Sequence, residues 1–444
     1  MLSISIISIL RGFLGIAVML GIMWLLSTNR KAISWPLVAK GLLLQFIMAL
    51  LVLNVEVVKD GVEVISKVFV KVTSFTDYGA EFVLGKWPQQ AEITAIDDDG
   101  TRSPYYVGFI FAFKVLPTII FFSALSTVLY YLGVLQRIVW LFAWVMKRLM
   151  NLSGAESLAA AGNTFLGQTE APLLIRPYLE RMTRSEIMCL MSGGMATIAG
   201  AVLVSYINIL GGGDEAEKVE FAKHLLTASL LSAPAAIVAA KILVPETEEF
   251  DSTMKIHKEK IGANVLEALT NGTSEGLKLA VNVGAMLLAF TAFIYMGNYL
   301  LELFGSVTGL NGVIAANTSY DSLSFQFLVG YALAPIAWLL GVHSEDVVLV
   351  GQLLGEKTIL NEFYAYFTLG GLKADGAFVD DKSVIMSTYI LCGFANFASI
   401  GIQVGGIGVL IPGRKGLLAT LGVRALIAGT VASLLTAAIV GMLI

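Results

Sequence analysis

Hydrophobic positions in this chain come in long blocks, most of them about as long as the roughly 20 residues a helix needs to cross a bilayer. Eight stretches, at about 6–26, 35–54, 107–132, 186–210, 221–243, 276–304, 385–410 and 416–443, are predicted to be spanning helices. From Val57 to Val72 apolar residues recur with helical period on a more polar background, which predicts an interfacial helix. An exposed loop is expected from Gly85 to Pro104. Its Asp97-Asp98-Asp99-Gly100 cluster lacks the spacing of a calcium loop and reads as a solvated turn. Two further regions, 136–182 and 325–372, are apolar but interrupted midway by polar and small residues. That interruption predicts re-entrant hairpins, because backbone that breaks at membrane depth must be buried in protein or line a cavity.

Composition agrees. Of 444 residues 57% are hydrophobic and 14% charged, with a mean hydropathy of +0.80, leaving no room for a sizeable aqueous domain. The expected fold is an all-α integral membrane protein of about eight transmembrane helices plus two re-entrant helical hairpins. A formal net charge of −4 and a pI near 5.6, with no basic stripe, exclude a nucleic-acid partner. Cys189 and Cys392 lie in apolar segments and read as small core residues. The N-terminal apolar run continues past Trp24 without a small-residue cleavage pattern, which favours a retained first helix over a signal peptide.

Charge orients the chain. If each hairpin region enters and leaves on one side, Arg30, Lys31, Arg137, Lys147, Arg148, Arg176, Arg181, Arg184, Lys255, Lys258, Lys260, Arg414 and Lys415 share a compartment. The positive-inside rule makes it the cytoplasm of a plasma (inner) membrane protein. The acidic stretches Gly211 to Glu220 and Asp375 to Asp381 then lie outside, with both termini.

The two hairpin regions carry similar text. FAWVM (Phe142 to Met146), SGAES (Ser153 to Ser157) and an NTFLGQTEA tip (Asn163 to Ala171) parallel PIAWLL (Pro335 to Leu340), HSEDV (His343 to Val347) and a TILNEFYA tip (Thr358 to Ala365). Glu170 and Glu362 correspond. Downstream, GGMATIAG (Gly193 to Gly200) matches GFANFASIG (Gly393 to Gly401). Three spans and one hairpin per half make an inverted-topology repeat, in which corresponding interrupted segments point to a midplane binding site. The chain divides accordingly into an N-terminal scaffold (1–105), a first transport repeat (106–245), and interfacial helices with a second repeat (246–444).

A carboxylate in a re-entrant tip costs roughly 2.5–3.5 kcal/mol on insertion scales, so Glu170 and Glu362 require partners or a function. Around them stand Asn163, Thr164, Gln168, Thr169 and Asn361, with Thr197, Asn396 and Ser399 in the breaks. Such donors and acceptors suit an uncharged, polar solute, and the carboxylates would repel an anion. Lys114 reads as a snorkelling residue or the partner of a nearby acid. His224, His257 and His343 are scattered without ligand spacing. Pro117, Pro172, Pro234 and Pro335 read as helix starts or kinks.

GNTFLGQTEAPLLIRPYL (Gly162 to Leu179), SGGMATIAG (Ser192 to Gly200), NEF (Asn361 to Phe363) and CGFANFASIGIQVGGIG (Cys392 to Gly408) together resemble the signature set of the concentrative nucleoside transporter family. The similarity runs in order along almost the whole chain, apart from 85–104. It implies a nucleobase held by Gly167, Gln168, Thr169, Glu170 and Val202, and a ribose held by Glu362, Asn396 and Ser399 with Phe394 close by. It also implies a sodium ion on Asn163 and Thr197 side chains and Leu166 and Ile198 main-chain oxygens, and a homotrimer. Sodium accords with physics, since a hard cation takes oxygen ligands and unwound backbone supplies them. The expected function is nucleoside import by sodium symport with alternating access. No cofactor besides the coupling ion is implied. A proton-driven version of the same machine is the alternative. A channel would want a continuous polar stripe or charged ring. An enzyme would want a nucleophile with its base, a metal cluster or a phosphate loop.

Overall fold

The computed structural model describes residues 6–85, 92–96, 102–106, 110–251, 254 and 262–444. Helices α1 (Ile6–Leu26), α2 (Trp35–Asn54) and α3 (Glu56–Leu84) come first. The interfacial helix expected to stop at Val72 runs on to Leu84. Its buried stripe continues through Ser66, Val70, Thr73, Thr76 and Ala80 at helical spacing, and its later members are polar or small, so hydropathy alone ends it early. Within the expected loop, β1 (Glu92–Ile96) and β2 (Arg102–Tyr106) pair antiparallel, from Glu92 opposite Tyr106 to Ile96 opposite Arg102. They are the only strands among the described residues, and the ladder pairs backbone groups that a loop would leave to water. The Asp97–Gly100 cluster, His257, Lys255, Lys258 and Lys260 lie outside the described residues.

The rest is one set of elements used twice. The first set is α4 (Phe111–Lys114), α5 (Leu116–Tyr131), α6 (Val134–Met150), α7 (Gly154–Phe165), α8 (Ala171–Leu174), α9 (Arg184–Ala196), α10 (Gly200–Gly211) and α11 (Glu215–Leu243). The second is α12 (Val265–Thr308), α13 (Leu310–Asn317), α14 (Phe325–Leu339), α15 (Val347–Ile359), α16 (Glu362–Ala374), α17 (Asp381–Leu391), α18 (Phe397–Leu410) and α19 (Lys415–Leu443). In each, a long helix leads to a shorter helix, amphipathic in the first set and apolar in the second, then a helical hairpin, a broken helix and a final long helix. The segments expected to span at 186–210 and 385–410 are therefore pairs of half-helices, α9 with α10 and α17 with α18. Neither α17 nor α18 reaches the roughly 20 residues of a full crossing. The expected hairpin regions were also too wide at their N-terminal ends. Left-handed backbone at Gly133 (φ 76°) and Asn151 (φ 57°) isolates α6, and at Gly341 (φ 94°) separates α14 from α15. α6 buries Val139, Ala143, Met146 and Met150 and exposes Trp140, Leu141 and Trp144, which marks it as a surface-lying helix.

The hairpins open at opposite ends of the molecule. Arg414, at the N-terminus of α19, donates to the carbonyls of Leu179 (3.2 Å) and Met182 (2.6 Å) at the base of the first hairpin. At the same end Thr28 N–H bonds Leu243 O. At the far end of α19, Lys382 reaches Ile444 O, Arg11 of α1 reaches Trp338 and Val342 carbonyls, and Asp346 accepts from Val379 and Asp380 N–H. That inversion is what an odd number of crossings per repeat produces.

The core lies between α9, α11 and α19, whose apolar stretches are mostly buried, whereas α1, α2 and α12 keep theirs mostly outward, as lipid-facing helices can. At 44 residues α12 is about 66 Å long at 1.5 Å per residue, roughly twice the hydrocarbon thickness. It seats on α5 through Gly272 and Gly276. A Cβ at either would come within 2.9 Å of the Ala124 or Ile120 backbone, a small-residue contact that lets two helix backbones touch. Pro117 and Pro172 stand in the first turns of α5 and α8, and Pro234 and Pro335 lie inside α11 and α14. Cys189 and Cys392 are free and buried.

Candidate functional site

Each hairpin tip forms where two short helices stop facing each other. α7 starts on the Ser153 hydroxyl, which accepts from Glu156 N–H (3.1 Å), and ends as Leu166 turns extended. The tip Gly167–Glu170 then closes on itself: Glu170 Oε2 accepts from Gly167 N–H at 2.6 Å. In the second hairpin, Leu360 and Asn361 bridge α15 and α16, and the Asn361 side chain caps α16 by accepting from Tyr364 N–H (2.9 Å).

The broken helices are interrupted at the same depth and touch there. Thr197 to Ala199 are extended between α9 and α10, and 392–396 separate α17 from α18. Gly393 sits at φ 98°, and a Cβ on it would lie 2.6 Å from the Ala196 carbonyl and from Met195 O. Only glycine lets the two breaks cross at that distance. Asn396 caps α18, its Oδ1 accepting from Ser399 N–H (2.9 Å), so its amide NH₂ is left to donate elsewhere.

Each tip reaches the second half-helix of the other repeat, and the second tip also bonds Asn396, the cap of α18 in its own repeat. Glu362 Oε2 accepts from Asn396 Nδ2 (2.8 Å) and its Oε1 from the Tyr206 hydroxyl on α10 (3.2 Å). Tyr206 also stacks on Tyr366 at 4.1 Å and meets Phe363 edge-on at 4.9 Å. In the other direction Gln168 Nε2 donates to Ser399 Oγ (3.3 Å), and Gln403 Nε2 donates to Gln168 Oε1 (3.0 Å) and to Met191 O (3.0 Å). Tyr206 and Gln403 were not among the expected residues. Each is the seventh residue of its half-helix, so comparing the repeats position by position would have found them.

Of the remaining expected residues, Val202 lies one turn before Tyr206 and is buried, Phe394 is half-buried within the second break, and Thr169 is exposed on the tip against Gly406. Asn163 and Thr197 flank Gly193: Asn163 Nδ2 donates to Leu190 O (3.1 Å), and Thr197 Oγ donates to Gly193 O (2.8 Å). Asn163 Oδ1 is fully buried and has no hydrogen-bond partner. A buried unpaired oxygen costs about 1–3 kcal/mol, and a hard cation such as sodium would satisfy the one on Asn163.

Lys114 lies 3.9 Å from Asp77, the acid-pairing its position suggested. His224 is a core histidine, its Nδ1 3.1 Å from the Tyr389 hydroxyl, while His343 Nδ1 faces Glu345 N–H in the turn after α14. Neither stands near the tips' polar network.

Paired helical hairpins that open at opposite ends and bring their tips onto crossed, broken helices define an inverted-repeat membrane transporter. Residues 14–87, 112–213 and 224–441 match, in that order, the families described as Na+ dependent nucleoside transporter N-terminus, nucleoside recognition gate, and Na+ dependent nucleoside transporter C-terminus. The chain is 39% identical over 441 residues to a protein of Haemophilus influenzae named as an uncharacterized transporter, covering 98% of each. It is likewise 39% identical over 446 residues to sodium/nucleoside cotransporter 1 of Rattus norvegicus, with 97% of this chain and 63% of that one covered. It spans about three fifths of the length of its animal relatives. The fold matches CNTnw in an inward-facing substrate-bound state with a TM-score of 0.86 and 36% identity, over 98% of this chain and 97% of that one. The chain belongs to the concentrative nucleoside transporter family.

Proposed function

We propose that the protein imports nucleosides by sodium symport with alternating access. The observation that carries the reading is the buried, unpartnered Asn163 Oδ1, set beside Thr197 where α7 and α9 end together. In this reading sodium takes that oxygen, the Thr197 hydroxyl oxygen and the main-chain oxygens of Leu166 and Ile198, and so braces the first tip against the first break. The braced tip presents Gly167, Gln168, Thr169 and Glu170, with Val202, to the nucleobase. Glu362, Asn396 and Ser399, beside Phe394, take the ribose hydroxyls. The bonds Gln168 makes to Ser399 and Gln403 join the halves directly, and a nucleoside entering between them exchanges those contacts for its own.

The proposed parts are a scaffold (1–105) and two transport repeats (106–245 and 246–444) in a plasma (inner) membrane homotrimer with extracytoplasmic termini. Supporting this orientation, Arg414 and the base of the first hairpin lie at one end of α19, while Arg11 and Ile444 meet the base of the second hairpin at the other.

Uptake of labelled uridine into proteoliposomes tests the coupling ion. Uptake should follow an imposed sodium gradient and resist a protonophore, and Asn163→Ala should raise the sodium concentration for half-maximal uptake. Full uptake in sodium-free buffer, abolished by the protonophore, would establish proton coupling instead.

A further inference from the structure

The second hairpin holds a lysine, Lys357, where the first holds Asn163 with its unpartnered oxygen. Lys357 is fully buried, and its ammonium spends its three hydrogens on neutral oxygens: Ile390 O (2.9 Å), Cys392 O (3.0 Å) and Ser433 Oγ (3.0 Å). A buried cation is costly unless opposite charge or oriented dipoles compensate it, and the Glu362 carboxylate supplies part of that charge. Here the carbonyl ends of two helices converge on it. Lys357 lies in the last turn of α15, and Ile390 and Cys392 terminate α17. Both C-terminal dipoles favour positive charge at that point.

The first repeat has the same convergence with the opposite side-chain choice. Asn163 is the third-last residue of α7, as Lys357 is of α15, and Thr197 directly follows α9, as Cys392 directly follows α17. Two helix C-termini meet in both halves, but in the first the side chain is neutral and its Oδ1 has no partner. The first half therefore calls for a cation from solution, and the second carries its own.

We propose that the Lys357 ammonium is a tethered substitute for a coupling cation, closing the second half-site without a free ion and limiting transport to one sodium per nucleoside. The inference rests on the sodium site proposed above at Asn163 and Thr197. It also requires Lys357 to stay charged and in place throughout the cycle, which its three bonds across α17 and α19 serve.

The test titrates sodium, replaced by choline at constant ionic strength, against the melting temperature of the purified full-length protein. A ligand that binds only the folded state raises stability with its logarithmic concentration, with a slope proportional to the ions bound. Wild type should give a one-ion slope and Asn163→Ala a rise displaced to higher sodium; a flat wild type defeats the sodium reading itself, and this inference with it. Lys357→Asn, which offers an oxygen as Asn163 does, should melt lower in choline and recover in sodium with about twice the wild-type slope. Lys357→Met offers no oxygen and should melt lower without recovering. A wild-type slope in Lys357→Asn, or equal recovery of Lys357→Met, would overturn the proposal while leaving the first site standing. Should neither variant fold, charge movement per nucleoside in wild-type proteoliposomes decides: a ratio near one supports the tethered cation, and a ratio near two overturns it.

Discussion

Replacing Glu362 by Gln changes one atom in the polar network and should separate ribose recognition from everything else the tip does. In the native chain both carboxylate oxygens already accept one bond, from Asn396 Nδ2 at 2.8 Å and from the Tyr206 hydroxyl at 3.2 Å. A carboxylate oxygen has about two acceptor sites, so one remains on each oxygen for the neighbouring hydroxyls of a ribose. In the variant the amide oxygen can keep facing Asn396 while its NH₂ donates to the Tyr206 hydroxyl, which stays bonded as an acceptor and loses only the acceptor for its own hydrogen, so the fold should survive. What disappears is one acceptor and the negative charge. A charge-assisted bond is worth about 1.5–3 kcal/mol, so uridine affinity should fall about 10- to 150-fold. A nucleoside without the 3′-hydroxyl has already lost one contact and should weaken much less. Isothermal titration in detergent with uridine and 3′-deoxyuridine against wild type and Glu362→Gln reads both factors. Equal weakening of the two ligands would refute the ribose assignment and leave Glu362 a structural group bracing Tyr206 and Asn396.

Gln168→Ala removes the side chain that bonds Ser399 and Gln403; competition assays should show a changed ranking among bases with ribose variants affected alike. Gly393→Ala forces a left-handed residue, costing on the order of 1–3 kcal/mol, and drives a Cβ into the Ala196 carbonyl. It should abolish uptake and lower the melting temperature, whereas Gly401→Ala, with open space around it, should do neither. A cysteine at Gly213 should react with an impermeant thiol reagent from outside intact cells and one at Lys415 should not; the reverse pattern inverts the proposed orientation.

Hydropathy alone determined that this chain lies in lipid, because the requirement for about 20 apolar residues per crossing acts locally and leaves its mark in every block. It placed α1, α2 and α19 within a residue of their observed ends, and the repeated tip text led directly to Glu170 and Glu362. Periodicity failed where burial is done by small or hydroxylic residues. Thr73, Thr76 and Ala80 extend α3 unnoticed, and α6 and α14 merged with the hairpins they precede because their separation rests on backbone turns at Gly133, Asn151 and Gly341. Only tertiary structure could decide the cross-repeat contacts. Tyr206 meets Glu362 across 156 residues and Gln403 meets Gln168 across 235, and no local pattern records a pairing made by two helices packed from opposite repeats. The different standing of Asn163 and Lys357 was equally out of reach of the sequence. A buried asparagine oxygen without a partner and an ammonium with three are distinguished by what surrounds them, and the helix ends that surround them come together only when the chain is folded.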